Sequence, residues 1–176
     1  METLEDFKIL FSSLKDGENR FDYRLDHSFF EAFDFTEVIS CDIATELILI
    51  KTTLLLDLKF ELKGSYSTNC DKCLGELEVL LNSNFRQIIK FVDQEDAKDE
   101  DVLFIERTAY DINVSPFIFE DCLLNFPKKQ IHKVGECDKE NIQVLNQYLL
   151  IESKDEELKN SDILDPRWEK LKELKK

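Results

Sequence analysis

The sequence predicts an α+β fold: an antiparallel β-sheet, twisted or partly closed, from the N-terminal half, with two or three covering helices from the C-terminal half. Three observations predict it. Leu54, Leu56, Leu58, Phe60 and Leu62 alternate with Leu55, Asp57, Lys59, Glu61 and Lys63, the period of two that sets one row on a core and the other mostly in water. Leu77, Val79 and Leu81, then Phe85, Gln87, Ile89 and Phe91, resume the alternation. Beyond residue 115 the spacing becomes helical, with Phe119, Cys122, Leu123 and Phe126 at i, i+3, i+4 and i+7.

Taken in order, Phe7 to Leu14 reads as a short first strand and Phe21 to Leu25 as a half-buried one. Asp26 caps a helical turn that buries Phe29, Phe30, Phe33 and Phe35. Ile43 to Ile50 is apolar on both faces and suits a central strand, and Lys51-Thr52-Thr53 joins it to the next strand as an antiparallel hairpin. The stretch Thr68-Asn69-Cys70-Asp71-Lys72-Cys73-Leu74-Gly75 caps a second hairpin, with Gly75 letting the backbone fold round the cysteines. Residues 93–109 are an acidic loop. Ser115 then serves as N-cap with Pro116 in the first helical position, and Pro127 stops the run. Lys139 to Ile151 is a second amphipathic helix with Ile142, Leu145 and Leu149 on one stripe. An acidic linker from Glu152 leads to a short basic helix opened by Asp165-Pro166-Arg167-Trp168. The whole reads as a single domain, 1–176, divided into 1–92 mainly β, 93–109 loop, 110–151 helical and 152–176 linker and basic helix.

A hydrophobic share of 43% is enough for a core, and four Gly with three Pro leave little room for a many-turned sandwich. The formal charge of −15 repels polyanions at long range and favours basic partners. No basic, then apolar, leader opens the sequence, and runs such as Leu47-Ile48-Leu49-Ile50 fall far short of the ~20 residues a membrane span needs. The expectation is therefore a cytoplasmic protein without membrane contact, whose five cysteines stay reduced.

Cys70-x2-Cys73 has the bite that lets two thiolates share a tetrahedral ion, and His132-x4-Cys137 can supply the other two ligands. The expected site is Cys3His zinc, tying the C-terminal half to the sheet; plain reduced thiols fit the same residues. Thiol-redox chemistry or a metal-dependent enzyme is the alternative from another class, but the pair lies between strands, without the helix N-terminus that lowers a thiol's pKa. There is no Gly-rich phosphate loop and no nucleophile elbow. His27 reads as structural, and Cys41 and Cys122 as core thiols. Local basic residues, Lys128, Lys129 and Lys133 with Arg167, Trp168, Lys170 and Lys172, are the candidates for touching a partner or RNA; helix-dipole compensation and packing of Trp168 account for the last group equally well.

Several motifs also coincide in order: Phe21-Asp22-Tyr23 and Asp26 with Phe29-Phe30; Cys70-Asp71-Lys72-Cys73-Leu74; Glu120-Asp121-Cys122-Leu123-Leu124 with Pro127; His132 with Cys137; and Asp165-Pro166-Arg167-Trp168-Glu169-Lys170-Leu171. Together they resemble the YceD family, the large-ribosomal-RNA-subunit accumulation proteins, in its Bacteroidetes-like branch. The resemblance implies a non-enzymatic accessory factor for ribosomal RNA accumulation, processing or assembly. Its expected partners are a large-subunit ribosomal protein or a pre-ribosomal particle, with large-subunit rRNA as a further one. The chain departs from members that carry extra C-terminal cysteine pairs, since only His132 and Cys137 stand there. Combined with the charge, the resemblance points the acidic surface toward a basic ribosomal protein or a mixed protein–RNA surface rather than naked RNA.

Overall fold

The computed structural model describes residues 4–92 and 103–159, with backbone alone over 150–159. The fold is α+β. Its main body is a five-stranded sheet built from β2 (Gly17–Leu25), β3 (Ser40–Lys51), β4 (Leu55–Asn69), β5 (Glu76–Val92) and β6 (Leu103–Glu106), laid side by side in that order. β1 (Lys8–Ile9) pairs with β7 (Ile112–Asn113) as a separate two-stranded ribbon. Helix α1 spans His27–Glu31, α2 Ser115–Asn125 and α3 Lys139–Lys159.

From β2 to β5 the sheet is an antiparallel meander: short turns join β3 to β4 and β4 to β5, while residues 26–39, which include α1, join β2 to β3. At the β3–β4 turn, Thr52 Oγ1 accepts from the Leu55 amide at 3.1 Å while the Thr52 amide donates to Leu55 O at 3.0 Å. The predicted alternation sets the register. Leu47 faces Phe60 and Leu49 faces Leu58, Phe60 faces Phe85 with the rings stacked at 4.3 Å, and Leu56 faces Ile89. Leu47, Leu49, Leu56, Leu58 and Leu62 are fully buried, each stabilising the fold by roughly 1.5–3 kcal/mol relative to exposure. At Gly64 the strands come so close that a Cβ would lie 2.1 Å from the Asp42 carbonyl oxygen, so only glycine fits.

Aromatic rings join the helices to this inner face. Phe33 of the α1 segment stacks on Phe119 of α2 at 4.3 Å, and Phe126 stacks on Tyr66 of β4 at 4.1 Å. Phe7, next to β1, stacks on Tyr23 of β2 at 4.8 Å. A buried polar contact fixes the α2 orientation: Ser83 Oγ of β5 donates to Asp121 Oδ2, and Asn125 Nδ2 donates to Asp121 Oδ1 at 3.0 Å.

The structure corrects the predicted elements in several places. Phe7 to Leu14 is not one strand: two residues pair with β7 and a 3-10 turn follows at Phe11–Ser13. The stretch 93–109 is not loop throughout, since Leu103–Glu106 forms β6, and β6 runs parallel to β5 in an otherwise antiparallel sheet. Nor is 110–151 helical throughout, because β7 opens it and a non-helical segment separates α2 from α3. Residues 152–159 continue α3 rather than forming a linker. Leu54 is exposed in the turn instead of joining the core row. Ser115 is the first helical residue, not the N-cap; its amide and hydroxyl both donate to Asn113 Oδ1, at 3.0 and 2.8 Å. Cover also comes from α1 in the N-terminal half, whereas α3 keeps only Ile142 and Leu145 of its predicted stripe half-buried. The short basic helix predicted from Asp165-Pro166-Arg167-Trp168 onward lies outside the described residues.

Candidate metal centre

The β4–β5 hairpin ends in the cysteine turn. The Cys70 amide donates to Gly75 O and the Leu74 amide to Cys70 O, both at 2.8 Å, which curls the chain so that both sulfurs point to its inside. Leu74, not Gly75, takes the left-handed backbone at φ +59°. Such a conformation is uncommon for a non-glycine residue. A Cβ on Gly75 would meet Cys73 Sγ at an ordinary 3.5 Å, so the predicted need for glycine there is not what shapes the turn.

Across from this turn runs the segment between α2 and α3. Its backbone is tied to the turn twice: the Asp71 amide donates to Gln130 O, and the Gln130 amide donates to Asp71 Oδ2, each at 2.7 Å. Asn141, in the first turn of α3, donates from Nδ2 to Cys73 O at 2.8 Å. Asp138 caps α3 by accepting the Asn141 amide at 2.8 Å, and this fixes the helix start just after Cys137. Gln130, Asp138 and Asn141 were not singled out in the sequence, and Asp71 stood there only as part of the cysteine motif. An acid followed three residues later by the helix run is the cap signature that marks Asp138; no local pattern marks the other three, whose partners lie 59 or more positions away.

These ties bring one donor atom from each of Cys70, Cys73, His132 and Cys137 within 4.8 Å of one another. Both Cys70 and Cys73 are buried, His132 and Cys137 are half-buried, and none of the cysteines is in a disulfide. His132 Nε2 lies 2.9 Å from Glu76 O. A carbonyl can only accept, so Nε2 carries the proton and Nδ1 presents its lone pair to the cluster, 3.4 Å from Cys73 Sγ. Fixing a histidine tautomer through a backbone carbonyl is the usual outer support of a metal-binding imidazole.

The ionisation pattern follows from the same contacts. Burial raises the Cys70 thiol, but the backbone N–H groups of Cys73, His132 and Lys72 outweigh it and bring its pKa down to about 6. The Gly75 N–H holds Cys73 below its ordinary value against burial. The Glu76 carbonyl raises His132. Burial pushes Cys137 up to about 11, helped by the neighbouring sulfurs. By contrast Cys41 and Cys122 have thiols raised by burial and serve the core, as expected.

The donor set fits a tetrahedral ion. With metal–sulfur bonds of ~2.3 Å and metal–nitrogen bonds of ~2.0–2.1 Å, tetrahedral ligand atoms stand roughly 3.5–3.8 Å apart, inside the 4.8 Å spread found here. Among the other predicted contact residues, Lys128, Lys129 and Lys133 are exposed on the segment that carries His132. Arg167, Trp168, Lys170 and Lys172 lie outside the described residues. No helix among the described residues is long and apolar enough to cross a membrane.

Comparison with known proteins gives one match. The family model described as "Large ribosomal RNA subunit accumulation protein YceD" matches residues 58–175. No curated protein and no solved structure matches the chain.

Proposed function

The chain belongs to the YceD family, and from that membership we propose that it is a non-enzymatic accessory factor in the accumulation of large-subunit ribosomal RNA. It acts in the cytoplasm by docking on a large-subunit ribosomal protein, or on a mixed protein–RNA surface of a pre-ribosomal particle. The family match carries the role. The mode of action rests on the formal charge of −15, which draws a lysine-rich ribosomal protein and repels bare RNA.

In this reading Cys70, Cys73, His132 and Cys137 hold one Zn²⁺. The ion supplies a cross-link between the β4–β5 hairpin and the segment entering α3, and all four protein ligands close the coordination shell, as in structural zinc sites. A groove of about 450 Å³ lies away from the cysteines, on the outer face of the sheet. Its Arg86 is already held by Asp57, with Nε–Oδ1 at 2.7 Å and the second arm at 2.9 Å, which favours a structural over a catalytic use of that surface.

The test compares binding of purified protein to large-subunit rRNA and to isolated basic ribosomal proteins over a salt series. Binding to a ribosomal protein, with weak binding to bare rRNA, is expected. Tight binding to rRNA alone with a steep salt slope, or unchanged large-subunit rRNA in cells lacking the gene, would overturn the reading.

A further inference from the structure

β2 is an edge of the main sheet. It pairs with β3 on one side, and no other strand among the described residues pairs with its other side. Its outward row reads Glu18, Arg20, Asp22, Arg24, all four exposed, while Asn19, Phe21 and Tyr23 sit half-buried on the other face. Charges on an edge strand ordinarily keep sheets apart. Here the order of the signs does the opposite for one partner.

We propose that β2 is the interface of a two-fold symmetric dimer, in which two copies pair their β2 edges antiparallel about Phe21 and extend the sheet across the dimer. In antiparallel pairing, directly opposed residues share a face of the sheet. A two-fold axis at Phe21 sets Arg20 against Asp22 of the second copy and Glu18 against Arg24 of the second copy, and the symmetry repeats both pairs. Every charged residue of the row meets its opposite. Moving the axis by one residue reverses this. Centred on Arg20, that side chain faces itself and Glu18 faces Asp22; centred on Asp22, the carboxylate faces itself and Arg20 faces Arg24. The row is therefore self-complementary in one register and self-repelling in its neighbours, which is how an isologous contact fixes its own alignment.

Within one chain the row is not saturated. Arg24 is bound by Asp42 and Arg20 by Glu18 and, at 3.8 Å, by Glu46, while Asp22 makes no ion pair among the described residues. Arg20 and Arg24 remain largely exposed, at 65% and 74% of their side-chain surface, so an acid of a second copy can reach them. Two chains of formal charge −15 repel each other at long range, so the contact is weak and is best measured near ~0.15 M salt, where the Debye length is about 8 Å. The proposal is independent of the metal cluster and of the role in rRNA accumulation.

Sedimentation equilibrium of the full chain over a concentration series tests it. A reversible monomer–dimer equilibrium is expected. Asp22→Arg, which opposes arginines in both symmetric pairs, should raise the dissociation constant about tenfold or more. The charge swap Arg20→Asp/Asp22→Arg restores the complement and should return it toward the starting value, which separates loss of pairing from loss of folding. A chain monomeric at every concentration, a dimer indifferent to Asp22→Arg, or a charge swap that rescues nothing would each overturn the proposal.

Discussion

At Cys70 two effects oppose each other: removal from water disfavours the thiolate, and a ring of backbone N–H groups favours it more. The balance leaves a sulfur ready to ligate near neutral pH. Cys137 lacks that support and stays protonated, so a metal must displace its proton. Metal affinity should consequently fall on acidification, as each ligand gains a proton that competes with the ion. Purified protein is expected to carry one zinc per chain that persists in reductant. Cys73→Ser or His132→Ala should abolish that stoichiometry, as read by elemental analysis. Losing about 3 kcal/mol of cross-link would lower the melting temperature by roughly 6–12 °C, from ~2–4 °C per kcal/mol at this size. A chain without metal, whose Cys70 and Cys73 interconvert between dithiol and disulfide at a mild potential, would favour redox chemistry instead.

α2 shows how one element is oriented by polar as well as apolar contacts. Its apolar residues Ile118 and Cys122 are fully buried, but apolar packing alone would tolerate a small rotation. Asp121 between Ser83 and Asn125 removes that freedom. Burial raises the Asp121 carboxyl, and the two hydrogen bonds only partly offset the shift. A folded pKa above the unfolded one means that the folded state holds the proton more tightly. The contribution is fully present below the unfolded carboxylate pKa of about 3.9 and is lost as pH rises through the folded value. Asp121→Asn should therefore gain stability relative to the parent at neutral pH and lose that advantage toward pH 4. Ser83→Ala, which leaves the buried carboxylate without one donor, should cost about 1–3 kcal/mol. Urea titrations at two pH values measure both.

For the whole molecule, charge distribution matters more than net charge. The end that holds the cysteine–histidine cluster carries the exposed Lys128, Lys129 and Lys133 on a chain that is otherwise strongly acidic. If the partner is a basic ribosomal protein, replacing all three lysines by Glu should leave that binding intact or tighten it, and should weaken any residual binding to rRNA with a shallower salt dependence. Loss of ribosomal-protein binding at unchanged metal content would instead assign the partner contact to this segment and count against docking through the acidic surface.

The two sides of the cysteine cluster, the main strands and the α2 pattern were legible in the sequence because each is local: a short spacing, a period of two, a period near four. Those features alone specified the α+β class, and with it the residue types able to hold an ion. Tertiary structure decided the rest. That Cys70 and Cys73 meet His132 and Cys137 depends on Asp71, Gln130 and Asn141, which bond across 59 or more positions and leave no periodic trace. The parallel placement of β6, the β1–β7 ribbon and the Ser83–Asp121 contact were hidden for the same reason. Each is a short element or a single polar pair whose partner is chosen by the packed fold, where an unpaired buried group costs more than any local preference supplies.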